Sequence, residues 1–213
     1  LITTYKRPEL FHQAVSSMRR NAVDWTRHYL TTVIDGGGAY EIRDATPYDI
    51  RDATILLVPK QGASAARNIG ASSIPRYRRQ KYVCFFDDDV YCVPGWDDRI
   101  ENVLTALDPV AAVSGHAHPF NHPTQKCSVR EPVGVVDFEI TRVLSTVNIA
   151  CAWEMWDNVG WFPEPGGPGG SEDVDWCRRA TEKNYRLVVT DPQVVIHCGI
   201  TGSGGKPIVG QDL

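Results

Sequence analysis

Long apolar segments and an excess of positive charge are both missing from this sequence of 213 residues. No apolar stretch approaches the roughly 20 residues that a membrane-spanning helix needs, which predicts a chain without a membrane span. The 22 basic and 26 acidic side chains give a net charge of −4, which is unlike the overall basic field of nucleic-acid-binding proteins. One local basic run, RYRRQK at 76–81, is expected to be a solvated face, with a phosphate or nucleic-acid contact as the alternative.

Paired cysteine motifs are missing as well. None of the six cysteines forms a CxxC pair, and several lie in apolar runs such as VCFF and IACAW. These surroundings indicate small buried side chains in a reducing compartment rather than a disulfide framework. No signal peptide is visible, so we expect a cytoplasmic protein, with a peripheral position at a membrane surface as the alternative. Because the chain begins inside the strand-like segment LITTY, it stays open whether native residues precede Leu1.

Strand-like and helix-like patterns alternate through the first half of the chain. The strand patterns lie at 1–5, 28–35, 53–59, 81–86 and 109–115, and the helical patterns at 8–20, 62–74 and 93–107. This alternation predicts an α/β fold with an open, mostly parallel sheet flanked by helices.

The second half is less regular. It contains antiparallel strand patterns at 133–140 and 141–147, a glycine-rich loop at 164–170, a helical pattern at 171–184 and short strands at 186–191 and 193–199. No repeat or long linker divides the sequence. We therefore expect one domain over residues 1–213, with a nucleotide-binding half (1–115) and an acceptor half (116–213).

The segment FFDDDV, at 85–90, ends a buried strand on three consecutive carboxylates. Such carboxylates repel one another and are costly to desolvate without a partner. In open α/β sheets, ligands bind at the carboxyl ends of the strands. Clustered aspartates there suit a hard cation, Mg²⁺ or Mn²⁺, which would in turn hold a diphosphate. The alternative is a solvated turn whose acids cap the following segment.

This segment resembles the DxD motif of nucleotide-sugar glycosyltransferases with the GT-A fold. Further segments resemble glycosyltransferase family 2 in the expected order: LITTYKRPEL, VIDGGG, GASAARNIG, and VGWFPE followed by GGSEDVDWCRRA. The GGSED portion is also similar to the Gly-Gly-Glu-Asp segment of the β-1,4-galactosyltransferases. The resemblance covers most of the chain. It implies a metal-dependent, inverting glycosyltransferase that moves a sugar from a nucleotide diphosphate sugar, expected to be a UDP-sugar, to an acceptor hydroxyl by direct displacement.

By this resemblance, Asp89 is the direct metal ligand, and Asp87 lies near the ribose or reaches the metal through water. Asp88 is the third member of the motif. His197, in VVIHCG, matches a metal-binding histidine that related enzymes place after the catalytic helix. A structural histidine is the alternative.

The acidic start of the helical pattern at 171–184 is the candidate catalytic region. A carboxylate is the usual base that removes the proton from an acceptor hydroxyl. The resemblance assigns this part to Asp173, with Glu172 orienting the acceptor and the preceding loop closing as a lid. The alternative is that both acids only complement the helix dipole. Asp175 is expected to face solvent or a neighbouring arginine.

The remaining candidates concern the nucleotide and the sugar. They are Thr3, Tyr5, Arg7, Asp35, Gly62, Arg67, Asn68 and Trp153, together with Asp87 and Asp88. Asp35 could accept hydrogen bonds from uracil or ribose, although Gly36 replaces the second acid of the family pattern. Arg67 is expected near the nucleotide or paired with one of the aspartates. Trp153 is a candidate for stacking on the sugar.

Other functions stay open. A nucleotidyltransferase shares a similar sheet and carboxylate-bound Mg²⁺, but TTYKRPEL lacks the glycine-rich phosphate loop of that class. A non-catalytic sugar- or nucleotide-binding module and a retaining glycosyltransferase are further alternatives. The acceptor could be a glycan, a lipid-linked glycan, a protein, a small molecule or a modified nucleic acid.

Overall fold

The computed structural model describes residues 1–36, 53–107, 111–115, 138–163 and 172–198. The predicted glycine-rich loop at 164–170 and Ser171, the first residue of the helical pattern at 171–184, lie outside these ranges.

Ten strands and five α-helices occur within the described ranges. The strands are β1 (Ile2–Thr4), β2 (Leu30–Asp35), β3 (Ala53–Val58), β4 (Tyr82–Asp87), β5 (Val90–Cys92), β6 (Ala111–Ser114), β7 (Phe138–Ile140), β8 (Asn148–Ala152), β9 (Arg186–Thr190) and β10 (Val195–His197). The helices are α1 (Pro8–Asn21), α2 (Ala63–Ser73), α3 (Trp96–Leu107), α4 (Trp153–Val159) and α5 (Glu172–Glu182). None of these helices is long and apolar enough to cross a membrane.

Eight of the strands form one sheet in the order β3-β2-β1-β4-β8-β6-β9-β7. Strands β7 and β8 run antiparallel to their neighbours, and the other six share one direction. The prediction of an α/β fold with a mostly parallel sheet is therefore confirmed. Strands β1 to β4 consequently end at the same edge, as their parallel pairing requires. The remaining strands, β5 and β10, pair antiparallel in a separate two-stranded ribbon.

Helices cover both faces of the sheet, and successive strand residues point to opposite faces. In β4, Phe86 packs into the apolar cluster that contains buried residues of α1 and α3. Phe85 packs on the other face with residues of α4 and α5. Both rings are almost inaccessible, so β4 is anchored from either side directly before the three aspartates.

The strand predicted at 141–147 is wrong. Hydroxyl groups in this segment bond locally: Thr141 donates to the carbonyl of Val143 at 3.2 Å, and Ser145 accepts from the N–H of Val147 at 3.4 Å. Such bonds compete with strand pairing. The strand begins instead at Asn148, where NIACA is fully buried between β4 and β6. A strand buried on both sides lacks the alternation that sequence analysis looks for.

Candidate active site

Residues from β1, β2 and β4 meet at the carboxyl edge of the sheet. The parallel register sets Thr3 beside Asp87, and Asp35 ends β2 at the same edge. The aspartates at positions 87, 88 and 89, which we call the acidic edge, lie where β4 ends, with Asp87 as its last residue. The three carboxylates therefore lie at the carboxyl edge of the sheet, as the sequence predicted. Ligands of open α/β sheets bind at this edge.

Asp88 lies below the surface of this edge, with no exposed area. Its Oδ2 accepts a hydrogen bond of 2.6 Å from Thr4 Oγ1, and its Oδ1 forms an ion pair with Arg7. Burial raises its pKa to about 6, although Thr4 and Arg7 act in the opposite direction. Sequence analysis named Thr3 and missed Thr4. Strand alternation could have found it, since successive side chains point to opposite faces.

Asp89 is contacted by two side chains from distant parts of the sequence. Arg7 Nη1 lies 2.9 Å from its Oδ2, and His197 Nε2 lies 3.2 Å from its Oδ1. Pairing of β5 with β10 sets His197 opposite Val90, and the N–H of Cys198 donates to the carbonyl of Asp89 at 2.7 Å. The structure thus brings Asp89 and His197, two of the three residues proposed from sequence as metal ligands, into contact.

Asp89 and His197 each favour the charged form of the other. Burial opposes ionisation of Asp89, but His197 and Arg7 outweigh it and lower the pKa of that carboxyl. The hydrogen bond to Asp89 raises the pKa of His197 above its ordinary value, against the effect of burial. The pair therefore favours a negative carboxylate beside a protonated imidazole.

Arg67 connects the acidic edge to the candidate catalytic helix. Its side chain is only 3% exposed, and its guanidinium donates to Asp87 and, at 3.2 Å, to Glu172 Oε1. Of the two sequence-based expectations for Arg67, pairing with an aspartate is the one observed. One buried cation thereby fixes the end of β4 against the start of α5.

Asp173 follows Glu172 in the first turn of α5 and is half-buried. Its carboxylate accepts the N–H of the next residue at 2.9 Å, as an acid at a helix start can. Asp175 pairs with Arg178 at 2.7 Å and Arg179 at 2.9 Å, which confirms that it faces neighbouring arginines.

Asp35 and Gly62 shape the entry to α2. Asp35 is buried and accepts the N–H groups of Gln61 at 2.7 Å and Gly62 at 3.0 Å. Gly62 has a φ of 94°, a conformation that side-chain-bearing residues rarely adopt. Asp35 therefore holds the loop before α2, and its contact with uracil or ribose stays a prediction.

Asn68 anchors the segment that leads towards α5. Its amide donates to the carbonyl of Phe162 at 2.8 Å and accepts the N–H of the same residue at 3.0 Å. The Phe162 ring lies under the guanidinium of Arg67, with 5.8 Å between the guanidinium carbon and the ring centre. Sequence analysis missed Phe162, which is buried beside two of the predicted site residues.

Tyr5 and Trp153 differ in their positions. Tyr5 leaves β1 at the carboxyl edge, with Lys60 Nζ 4.7 Å from the centre of its ring. Trp153 lies at the opposite edge, because β8 runs antiparallel to β4 and pairs Ala152 with Tyr82. It is nearly buried, and Arg79 stacks on it at 4.1 Å. The structure does not bring Trp153 to the acidic edge, and we correct its assignment to a packing residue.

The donor atoms at the acidic edge fit a divalent cation by their chemistry. Carboxylate oxygens suit Mg²⁺ and Mn²⁺, and an imidazole nitrogen is a further ligand for transition metals. Within the part of the chain that the structure describes, however, no three His, Cys, Asp or Glu side chains surround a common point. Arg7 and Arg67 pair with the three carboxylates instead. The carboxylates of Asp87 and Asp89 are thus held by the protein's own arginines, and His197 contacts Asp89.

Solved structures share this architecture. GalNAc-T7, solved with UDP, GalNAc and Mn²⁺, aligns with a TM-score of 0.72 at 10% identity, over 99% of this chain and 45% of that one. TarS 1-349 of S. aureus aligns with a TM-score of 0.62 at 16% identity, over 91% of this chain and 58% of that one. No family model and no curated protein matches the sequence. This chain spans about half the length of these two structures, and it has the GT-A fold.

Proposed function

We propose that this chain is a glycosyltransferase that moves a sugar from a UDP-sugar to an acceptor hydroxyl in one metal-dependent, inverting displacement. The observation that carries the proposal is the convergence of Asp87, Asp89, His197 and Glu172 at one edge of the sheet, from three separate parts of the sequence. The GT-A fold supports it, as do the UDP and Mn²⁺ with which the similar GalNAc-T7 was solved.

Asp89, His197 and Asp87 are the residues that would hold Mn²⁺ or Mg²⁺. Such a cation, when bound, neutralises the charge that develops on the departing diphosphate. Tyr5 and Gly62 border the same edge and are proposed to contact the nucleotide. Gly62 lets the backbone approach a ligand closely because no Cβ is present.

Asp173 is proposed to act as the base. It takes the proton of the acceptor hydroxyl while that oxygen bonds to the anomeric carbon and the bond from this carbon to the diphosphate breaks. A single displacement of this kind inverts the configuration at the anomeric carbon. Glu172, held by Arg67, fixes the first turn of α5 and therefore the position of Asp173. This positioning matters because small displacements of a catalytic group slow a reaction strongly.

The test combines UDP binding with donor turnover. UDP together with Mn²⁺ should raise the Tm of the protein, since a ligand that binds the folded state stabilises it. Asp173→Asn should keep this shift and, with water as the acceptor, release UDP from UDP-GalNAc or UDP-glucose about 10²–10⁴ times more slowly than the unaltered chain.

The matched control is Asp175→Asn, which removes the same charge from the same helix. Because Asp175 faces Arg178 and Arg179, this variant should keep its turnover. Unchanged UDP release by the Asp173 variant would exclude Asp173 as the base. A chain that neither binds UDP nor turns over a UDP-sugar would not be a transferase of this kind.

A further inference from the structure

Arg7 occupies a constrained position between β1 and α1. It precedes Pro8, the first residue of the helix, and follows Lys6, whose φ of 52° lies in the left-handed region. Such a conformation is uncommon for a side-chain-bearing residue. The turn thereby holds Arg7 over the acidic edge, although its side chain is still 44% exposed.

The guanidinium of Arg7 bridges two consecutive carboxylates. One nitrogen, Nη1, lies 2.9 Å from Asp89 Oδ2, and the other, Nη2, forms an ion pair with Asp88 Oδ1. The remaining oxygens also have partners, since Thr4 donates to Asp88 and His197 lies 3.2 Å from Asp89 Oδ1. Each carboxylate oxygen of these two aspartates therefore has a hydrogen-bond or ion-pair partner from the protein.

A divalent cation needs some of the same oxygens. Carboxylate ligands contact Mg²⁺ and Mn²⁺ directly. Asp89 Oδ2 therefore cannot bind a metal and also keep its full ion pair with the Arg7 guanidinium. Two positive groups at one carboxylate also repel each other. The exposed side of Arg7 gives this long side chain room to leave, whereas Arg67 is buried.

We infer that Arg7 is a displaceable counter-ion of Asp88 and Asp89, which competes with a divalent cation and moves aside when the cation binds. The inference rests on the proposed function for one point, the identity of the cation, which is the one that such a transferase would use. It follows that Arg7 weakens binding of the free metal. Because a diphosphate is a good partner for a guanidinium, UDP should draw Arg7 away and strengthen metal binding.

The experiment measures Mn²⁺ binding by the loss of the electron paramagnetic resonance signal of free Mn²⁺, without nucleotide. Arg7→Gln should bind Mn²⁺ about tenfold more tightly than the unaltered chain, comparable to the effect of one neighbouring charge on a carboxylate. Arg7→Lys keeps the charge but cannot bridge two carboxylates. Its affinity for Mn²⁺ should lie between that of the unaltered chain and that of Arg7→Gln. The control Arg20→Gln removes the same charge from an exposed position on α1 and should leave the affinity unchanged.

A second measurement needs no variant. Phenylglyoxal modifies accessible arginines, and peptide mass spectrometry reports the rate at Arg7 in the unaltered protein. Mn²⁺ should raise this rate several-fold. An Arg7→Gln affinity equal to or weaker than that of the unaltered chain, or an Arg7 rate that Mn²⁺ leaves unchanged, overturns the inference.

Adding UDP separates this inference from the proposed function. If the Arg7 side chain moves from the two carboxylates to the diphosphate, UDP should tighten Mn²⁺ binding more in the unaltered protein than in Arg7→Gln. A protein that shows the Arg7 effect with metal alone but binds no UDP keeps the inference and loses the proposed function. A protein that binds UDP and Mn²⁺ together, with the same affinities in Arg7→Gln, loses the inference alone.

Discussion

Two buried aspartates at opposite edges of the sheet show how differently one protein treats the same side chain. Asp97, at the start of α3, is 1% exposed on its side chain and accepts hydrogen bonds from the N–H of Val23 at 2.9 Å and from His28 at 3.0 Å. Burial opposes its ionisation, but these bonds outweigh burial and lower its pKa. Asp88 is equally buried, yet burial raises its pKa to about 6.

Burial is the largest influence on both pKa values and raises each of them; the hydrogen bonds of Asp97 outweigh it, whereas Thr4 and Arg7 do not outweigh it at Asp88. Asp97 has donors around it, and its neighbour Asp98 turns outward to Arg27. Asp88 lies between Asp87 and Asp89, and both of these charges raise its pKa. Packing alone would not gather three like charges at one point, and perturbed carboxyls of this kind are typical of functional sites. The amino-terminal edge, where His28 precedes β2, is thus arranged for stability, whereas the carboxyl edge carries a charge conflict that Arg7, Arg67 and Thr4 partly relieve.

Removal of Arg67 should have the largest effect on stability. Arg67→Gln leaves Asp87 without its buried cation beside two further carboxylates, and breaking such a pair costs about 3 kcal/mol in the free energy of unfolding. Urea unfolding followed by tryptophan fluorescence measures this. The double variant Arg67→Gln, Asp87→Asn should recover part of the loss, because the uncompensated charge is gone.

Arg79→Gln is the matched control for this prediction. It breaks an arginine–aspartate pair at the other edge, whose Asp157 is 51% exposed, and it also ends the stacking of Arg79 on Trp153. The loss should be smaller, about 1 kcal/mol, because an exposed carboxylate keeps its hydration. Equal losses in the two variants would show that the carboxyl edge carries no special charge conflict.

Sequence reasoning reached the fold because the first half of the chain repeats one simple signal. Alternating strand and helix patterns, with Pro8 at the start of α1, dictate parallel strands whose ends meet at one edge. It missed β5, which has only three residues and depends on pairing with β10 more than 100 residues away in sequence. A strand of that length has no pattern of its own to detect.

The candidate site was predictable in its residues but not in its partners. Motif spacing named Arg7, Arg67 and the aspartates, whereas the choice of Arg7 for Asp88 and Asp89, and of Arg67 for Asp87, depends on three-dimensional approach. The buried Thr4 contact likewise follows from strand register rather than from composition. Trp153 was misplaced because its position depends on the antiparallel direction of β8, which the sequence does not encode locally.

Asp97→Asn should have the next largest effect. At pH 7 the loss of a charge that accepts several hydrogen bonds should cost about 2 kcal/mol in the free energy of unfolding. Since the folded pKa of Asp97 is lowered, its contribution is fully present above the unfolded value of about 3.9 and is lost as the pH falls through the folded value. The difference in the free energy of unfolding between the unaltered chain and Asp97→Asn should therefore narrow below about pH 4. Urea unfolding at pH 7 and pH 3 checks this, and an equal gap at both would show that charge is not the cause.

Asp98→Asn should have the smallest effect and tests whether burial separates the two kinds of aspartate. Asp98 Oδ1 accepts from Arg27 at 2.6 Å, but the two side chains are 43% and 42% exposed. Arg27 also keeps a second partner, Glu101, at 3.1 Å. Exposed pairs contribute little, so the Tm should change by no more than about 1 °C, and the difference should vanish in high salt. A destabilisation as large as that of Asp97→Asn would mean that the charge network around Arg27, rather than the buried hydrogen bonds of Asp97, stabilises the amino-terminal edge.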